Sequence, residues 1–335
     1  MFSKTLIFLA LFCSCCANAK KNQTTSSNQA IAFRFEGKFN YASALCLLDN
    51  KDVLAAASSL GSLYWFNLTS VSQIATAKVH TDAVWALIEL PSAELASGGE
   101  DSTIVIWNQF KPRLVLNDAN NRVTSLAYQM ISKHEFVLVS GANDSSIKIW
   151  NTTDGRLLQT LRDDSMQIVN ALLVLPDGRI ASGSVDGVIR IWDTSSGSIV
   201  LRLTNFGASI YGLSLLDFSG PFVFDQTVLV VGDLNGSGNI WNLTDATPKL
   251  VAGFQDPDYQ SIYSMSALSN GLFATGNYGK VHIWSGVNGA LNATLVNTFD
   301  TSVIFSLAFI PERNYLASGG FNEITVWDLN KRKRN

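Results

Sequence analysis

Three histidines, His80, His134 and His282, are scattered over a chain of 335 residues and occupy different positions relative to the motifs around them. Metal binding or acid–base catalysis needs such residues paired at a defined spacing. No His-x-x-x-His, paired-cysteine motif, EF-hand loop or glycine-rich phosphate loop occurs. The carboxylates Asp82, Asp217, Asp233 and Asp300 make no acid/base pair by spacing. These residues predict no catalysis, no metal and no cofactor. Cys13, Cys15 and Cys16 crowd near the N-terminus, and Cys46, inside the apolar run Ala44 to Leu48, reads as a small buried hydrophobe. The one modification chemistry the sequence offers is Asn-x-Ser/Thr, at Asn22, Asn67, Asn143, Asn151, Asn235, Asn242 and Asn292. Asn22, Asn67, Asn151, Asn242 and Asn292 are the glycosylation candidates.

The composition describes a globular protein: 47 % of residues are hydrophobic, 15 % are charged, and the formal charge is −3. That balance excludes disorder, a coiled-coil rod and nucleic-acid binding driven by net charge. The N-terminus has its own organisation. Lys4 precedes the uncharged run Thr5 to Ala17, and Ala17-Asn18-Ala19 ends it with small residues. Residues 1–19 therefore read as a secretory signal rather than a membrane span, followed by a polar tether over 20–29. The expectation is a protein of the secretory lumen or outside the cell; if the signal is false, a cytoplasmic one. The basic run Lys331 to Arg334, within a tail at 331–335, reads as a solvated terminus.

Between these ends the sequence repeats. Ile104-Val-Ile-Trp107, Ile147-Lys-Ile-Trp150, Ile189-Arg-Ile-Trp192, Gly238-Asn-Ile-Trp241, Val281-His-Ile-Trp284 and Ile324-Thr-Val-Trp327 recur at intervals of 43, 42, 49, 43 and 43 residues. A weaker copy ends at Phe66. The long interval carries an insertion, Asp217 to Thr227. Upstream of each anchor stands a small-residue strand and turn, as in Leu95-Ala-Ser-Gly-Gly-Glu-Asp101, and before that a Val-x-x-Leu strand such as Val84 to Leu87. A polar-edged fourth strand follows each tryptophan, as in Gly155 to Leu161.

Four short strands every 42 or so residues, with Trp192-Asp193 and Trp327-Asp328 among them, resemble the WD-repeat (WD40) β-propeller family over nearly the whole chain after the leader. The resemblance implies an all-β, seven-bladed β-propeller over 30–330. Its last blade would be completed by Ile31 to Phe35, because no outer strand follows Trp327. It also implies a buried relay of His80, Ser97, Asp101 and Trp107, with shortened versions at Ser140, Asp144 and Trp150 and at Ser182, Asp186 and Trp192.

The family resemblance implies a function in binding rather than catalysis. One register of every repeat falls at the same height of the ring: Ser43, Trp85, Thr124, Asn170, Tyr211, Tyr263 and Phe305. By resemblance this register opens on the channel entrance. Its aromatics either supply rigid contact area for a protein or peptide partner or plug the channel. Asp82, Arg122, Gln167, Ser209, Ser261 and Ser302 would form a nearly neutral rim, and the insertion is a second candidate contact. The expected protein is a non-catalytic interaction platform that binds no nucleic acid and spans no membrane. An intracellular scaffold and a propeller enzyme or small-ligand binder are the alternatives.

Overall fold

Five of the repeats each become a four-stranded antiparallel sheet because their four segments demand four different environments. In the Trp107 sheet the strands are Val84–Glu89, Leu95–Gly99, Ile104–Asn108 and Lys111–Leu116. The second is buried throughout and the third up to Trp107, as continuous apolar or small-residue runs pressed between neighbouring sheets. The fourth faces water along most of its length, which explains its lysine, proline and arginine. A computed structural model of the chain describes residues 30–48, 52–117, 121–204, 206–216, 227–245, 247–297 and 302–331. The expected signal (1–19) and tether (20–29), Asn22, Asp217, Asp300, most of the insertion and the tail beyond Lys331 lie outside the described residues.

The anchors share one register. Trp107 lies opposite Leu95, Trp150 opposite Leu138, Trp192 opposite Ile180, Trp241 opposite Leu229, Trp284 opposite Phe273 and Trp327 opposite Leu316. Phe66 opposes Leu54 in the same way, so it takes the tryptophan place as the repeat spacing predicts. Sheet-to-sheet packing explains the glycine of the Ser-Gly and Thr-Gly pairs. A Cβ on Gly183 would stand 2.6 Å from Cγ2 of Ile210, the leading residue of the next repeat, and one on Gly276 would stand 2.8 Å from Cγ2 of Ile304. First strands touch in chain order, and the last, Ser306–Ile310, returns to the first, Ile31–Leu48. The result is an all-β, propeller-like circle.

The N-terminal strand closes that circle as predicted. Ile31 pairs with Trp327, Phe33 with Val326, Arg34 with Thr325 and Phe35 with Ile324. One expectation needs correction: the described residues form six hydrogen-bonded sheets, not seven. Five have four strands, and the sixth has seven. The cause lies in Ile31–Leu48, which does not stop at Phe35. It pairs with the Trp327 strand over its first part, shifts register between Glu36 and Tyr41, and pairs with Val53–Ser58 from Ala42 onward. Asn40, at φ 57°, takes the left-handed conformation in that bend, and Phe39 is fully buried against Tyr64 and Phe66.

Candidate interaction face

In five first strands the predicted entrance residue is the extra one in a β-bulge. The ladder skips Ser43, Trp85, Thr124, Asn170 and Tyr211. A bulge re-aims its residue relative to the alternation of the strand, so one recurring backbone feature sends these side chains away from the sheet faces. Tyr263 and Phe305 stand just before their strands, with their N–H groups donated to Gly276 O (3.1 Å) and Gly319 O (3.2 Å).

The seven side chains divide by chemistry. The small polar ones join neighbouring sheets. The hydroxyl of Ser43, 4 % exposed, is within hydrogen-bond reach of the carbonyls of Ala57 and Val84, and that of Thr124 reaches Gly141 and Val169. Asn170 Nδ2 donates to Ile210 O at 3.3 Å. The four aromatics instead gather. Phe305 touches Trp85 (6.2 Å between centroids) and Tyr263 (5.9 Å), and Tyr263 touches Tyr211 (6.4 Å).

Three further aromatics, which the register does not include, extend this cluster. Tyr41 packs on Phe305 (5.4 Å) and Phe321 (5.3 Å), and Tyr278 packs on Tyr263 (5.7 Å), with the two hydroxyls 3.0 Å apart. Tyr211 and Tyr278 are each 38 % exposed and Phe321 44 %, so the cluster is partly open to solvent. Trp85 Nε1 donates to Glu100 Oε2 at 3.0 Å, and Arg122 pairs with Glu100 at 3.3 Å while its Cζ lies 5.9 Å from the Trp85 ring centroid. Burial raises the pKa of the Tyr211 phenol against the pull of Arg122; burial and the hydrogen bond with Tyr278 do the same for Tyr263. These two hydroxyls remain neutral at physiological pH. The rim residues support the same turns: Ser209 and Ser261 donate to Val185 O (3.1 Å) and Leu234 O (2.6 Å), and Ser302 accepts from Phe321 N (3.1 Å). Asp82 and Gln167 are exposed.

Glu100, Tyr278 and Phe321 share one repeat position, five residues after the second-strand partner of the anchor tryptophan. Other repeats carry Ser59, Asn143, Val185 and Leu234 there. The type varies from repeat to repeat, so the sequence carried no pattern that marks Tyr278 and Phe321.

Residues 71–108, 110–151 and 155–193 match the family model described as WD domain, G-beta repeat. Each matched segment takes the outer strand of one sheet and the next three strands, in keeping with the tandem sheets above. The chain carries a WD40 repeat domain. No curated protein matches the chain. WD40 propeller domains act as non-catalytic scaffolds, and that family assignment agrees with the absence of catalytic spacing in the sequence. Among the described residues no helix is long and apolar enough to cross a membrane.

The WD40 relay is complete once. His80, 1 % exposed, places Nε2 2.7 Å from Ser97 Oγ and Nδ1 3.0 Å from Asp101 Oδ1, and Trp107 Nε1 donates to Ser97 Oγ at 2.8 Å. Burial raises the Asp101 pKa, but hydrogen bonds from His80 and Thr103 outweigh it and hold the carboxyl below its usual range. The shortened relays are split. Trp150 and Trp192 each donate to their serine, Ser140 and Ser182, at 2.8 Å, whereas Asp144 pairs with Arg162 and Asp186 with Arg190. His282 is buried in its strand, with Nδ1 3.0 Å from Thr294 Oγ1 and Nε2 3.3 Å from Asp256 Oδ2. Asp256, Asp258 and His282 place ligand-type atoms within 4.8 Å of one another, a grouping the spacing did not predict, but Lys280 already holds Asp258 at 2.5 Å.

The residue after the WD40 tryptophan caps a turn. Asn67 Oδ1 accepts from Thr69 N (2.9 Å), Asn151 Oδ1 from Thr153 N (2.7 Å), Asn242 Oδ1 from Thr244 N (2.9 Å) and Asp193 Oδ1 from Ser195 N (2.8 Å). The Asn-x-Ser/Thr spacing at these three asparagines thus coincides with a turn that Asp serves equally. Asn292 is half-buried in the strand Leu291–Val296. Cys46 is half-buried beside the core around Trp65 and Trp107.

Proposed function

We infer that the chain is a non-catalytic interaction platform whose aromatic entrance face receives an extended segment or loop of a protein partner. The observation that carries this reading is the continuous run of ring contacts from Phe321 through Tyr41, Phe305 and Tyr263 to Tyr278 and Tyr211, with three members more than a third exposed. Rigid aromatic area with few rotatable bonds is what interfaces concentrate at their anchors. The Arg122–Glu100 pair beside Trp85 supplies one cation and one anion, which favours a partner recognised by shape and stacking over a polyanion. Among the seven register positions, Trp85, Tyr211, Tyr263 and Phe305 carry the contact, while Ser43, Thr124 and Asn170 tie sheet to sheet.

The ring has seven blades in this reading. Seven anchors in one register, Phe66 to Trp327, support it, as does the double pairing of Ile31–Leu48, which serves as outer strand of the last blade and inner strand of the first. For the compartment, the pattern of residues 1–19 supports the secretory lumen or the outside of the cell. The WD40 match favours the second reading, an intracellular scaffold using the same face. Intact mass and N-terminal sequencing of medium and lysate decide between them: a start at Lys20 with added glycan supports secretion, and an unprocessed chain in the lysate overturns it.

The face itself is tested by Trp85→Ala with Tyr263→Ala. Proteins captured by the wild-type chain, under matched folding shown by circular dichroism, are lost from the double variant. Capture at an unchanged level overturns the assignment of the face.

A further inference from the structure

The Trp241 sheet departs from its neighbours at one place. In the Trp192 sheet the residue two before the tryptophan is Arg190, 2 % exposed, paired across the strands with Arg202. Its guanidinium fills the space between the sheet and the preceding loop, with Nε donated to Asp163 Oδ2 at 2.6 Å, Nη1 to Asp186 Oδ1 at 3.2 Å and Nη2 to Ser165 Oγ at 3.1 Å. Lys148 stands at the same place in the Trp150 sheet and His282 in the Trp284 sheet, both buried. His80 reaches the corresponding space of the Trp107 sheet from its loop, against Asp101. A basic side chain of the protein's own stands at this place in the Trp107, Trp150, Trp192 and Trp284 sheets.

In the Trp241 sheet the slot is open. The register places Asn239 opposite Gly253 where the Trp192 sheet has two arginines. A cavity of about 440 Å³ results, lined by Asp233, Asn239, Gly253, Gln255, Phe206 and Phe254 among others. An acid lines it from another repeat position: Asn235 stands where the other sheets have Asp101, Asp144 and Asp186, and Asp233 stands where they have Gly99, Ala142 and Ser184. Asp233 is 1 % exposed; its Oδ1 accepts the N–H groups of Asn235 (2.8 Å) and Ser237 (3.0 Å), and among the described residues no Lys, Arg or His pairs with it. Burial raises its pKa more than those hydrogen bonds lower it, as expected of a carboxyl with no cation beside it. A buried carboxylate, amide side chains and two phenyl rings make a cavity suited to a planar organic cation.

We propose that this cavity binds a guanidinium group supplied from outside the chain, an arginine side chain occupying the slot that Arg190 fills in the neighbouring sheet. The proposal is independent of the aromatic face. Its chemistry is shared by free arginine and by an arginine within a partner segment, and the two differ in what surrounds the guanidinium.

The test is calorimetric titration of the full protein with acetyl-Gly-Arg-Gly-amide and with its citrulline analogue, which keeps the shape and loses the charge. The expected result is saturable binding of the arginine peptide, at least ten-fold weaker for citrulline. Asp233→Asn, which keeps the turn acceptor, weakens arginine binding at least ten-fold; Asn239→Arg abolishes it by filling the slot from within, and both variants keep the wild-type circular dichroism. Free L-arginine in parallel separates the sources: equal affinity indicates a small-molecule site, and a ten-fold tighter peptide indicates a docking segment. Absence of saturable arginine binding to the wild type, equal affinity for citrulline, or undiminished binding by Asp233→Asn overturns the proposal.

Discussion

The Trp107 and Trp241 sheets have the same strand register and opposite interiors. In the first, the indole N–H, Ser97, His80 and Asp101 form an unbroken chain of hydrogen bonds. In the second, Val231 stands where Ser97 would be, the indole nitrogen of Trp241 has no hydrogen-bond partner, and Asp233, in the place of Gly99, lines a cavity. Both tryptophans are nevertheless buried and face the same second-strand position. Burial of the large ring between sheets is common to both, and the polar relay is an addition that the Trp241 sheet lacks.

The largest effect expected is that of removing the ring. Trp107→Ala should lower stability by about 3–5 kcal/mol as a large core truncation, read from chemical denaturation. A change below about 1 kcal/mol would contradict the blade assignment. The relay comes next. His80→Ala strands Ser97 and Asp101 and should cost about 2 kcal/mol, while Val231→Ser gives Trp241 an acceptor and should gain about 1 kcal/mol. If the two substitutions act with the same sign, the contrast between the sheets is not one of hydrogen bonding.

The pH dependence sharpens the same contrast because the two carboxyls are shifted in opposite directions. Asp101 is held below 3.8 in the folded protein, so its contribution is fully present above the unfolded value and is lost as pH falls below 3.8. Asp233 is raised above 3.8, so its contribution is fully present below that value and is lost as pH rises through its folded pKa. At neutral pH Asp101→Asn should therefore lower the melting temperature and Asp233→Asn should raise it, with both differences shrinking in acid. Melting curves from pH 7 to pH 3 check the signs. Smallest of all, Tyr211→Ala and Phe321→Ala on the exposed face should move stability by about 0.5 kcal/mol or less.

Much of this architecture is legible in the sequence because each sheet must bury one tryptophan strand, and that requirement recurs with a fixed period. Closure by Ile31 to Phe35 was legible for the same reason: the last repeat lacks an outer strand and an alternating segment stands unassigned at the other end. The joining of two sheets was not. Gly37-Lys38-Phe39-Asn40-Tyr41 has the residues of a loop, and only the burial of Phe39 against Phe66 and the pairing of Tyr41 with Phe321 carry the strand across it. At the entrance, Trp85, Tyr211, Tyr263 and Phe305 follow from register alone. Tyr278 and Phe321 escaped because their repeat position varies in type from repeat to repeat, and no pattern marks a variable position. The Asp233 cavity escaped for a different reason: it is made by what Asn239 and Gly253 fail to fill.

In the proposed function the aromatic face is where a partner sits. The most direct measurement places a photo-reactive phenylalanine at Tyr278, on the face, and in a second protein at Leu250, which is 54 % exposed on the outer strand Lys249–Gln255. Irradiation in the protein's own cells followed by mass spectrometry reads what each touches. A defined protein adduct from position 278 that is absent from position 250 is the expected result. Adducts of the same protein from both positions, or from 250 alone, would contradict it.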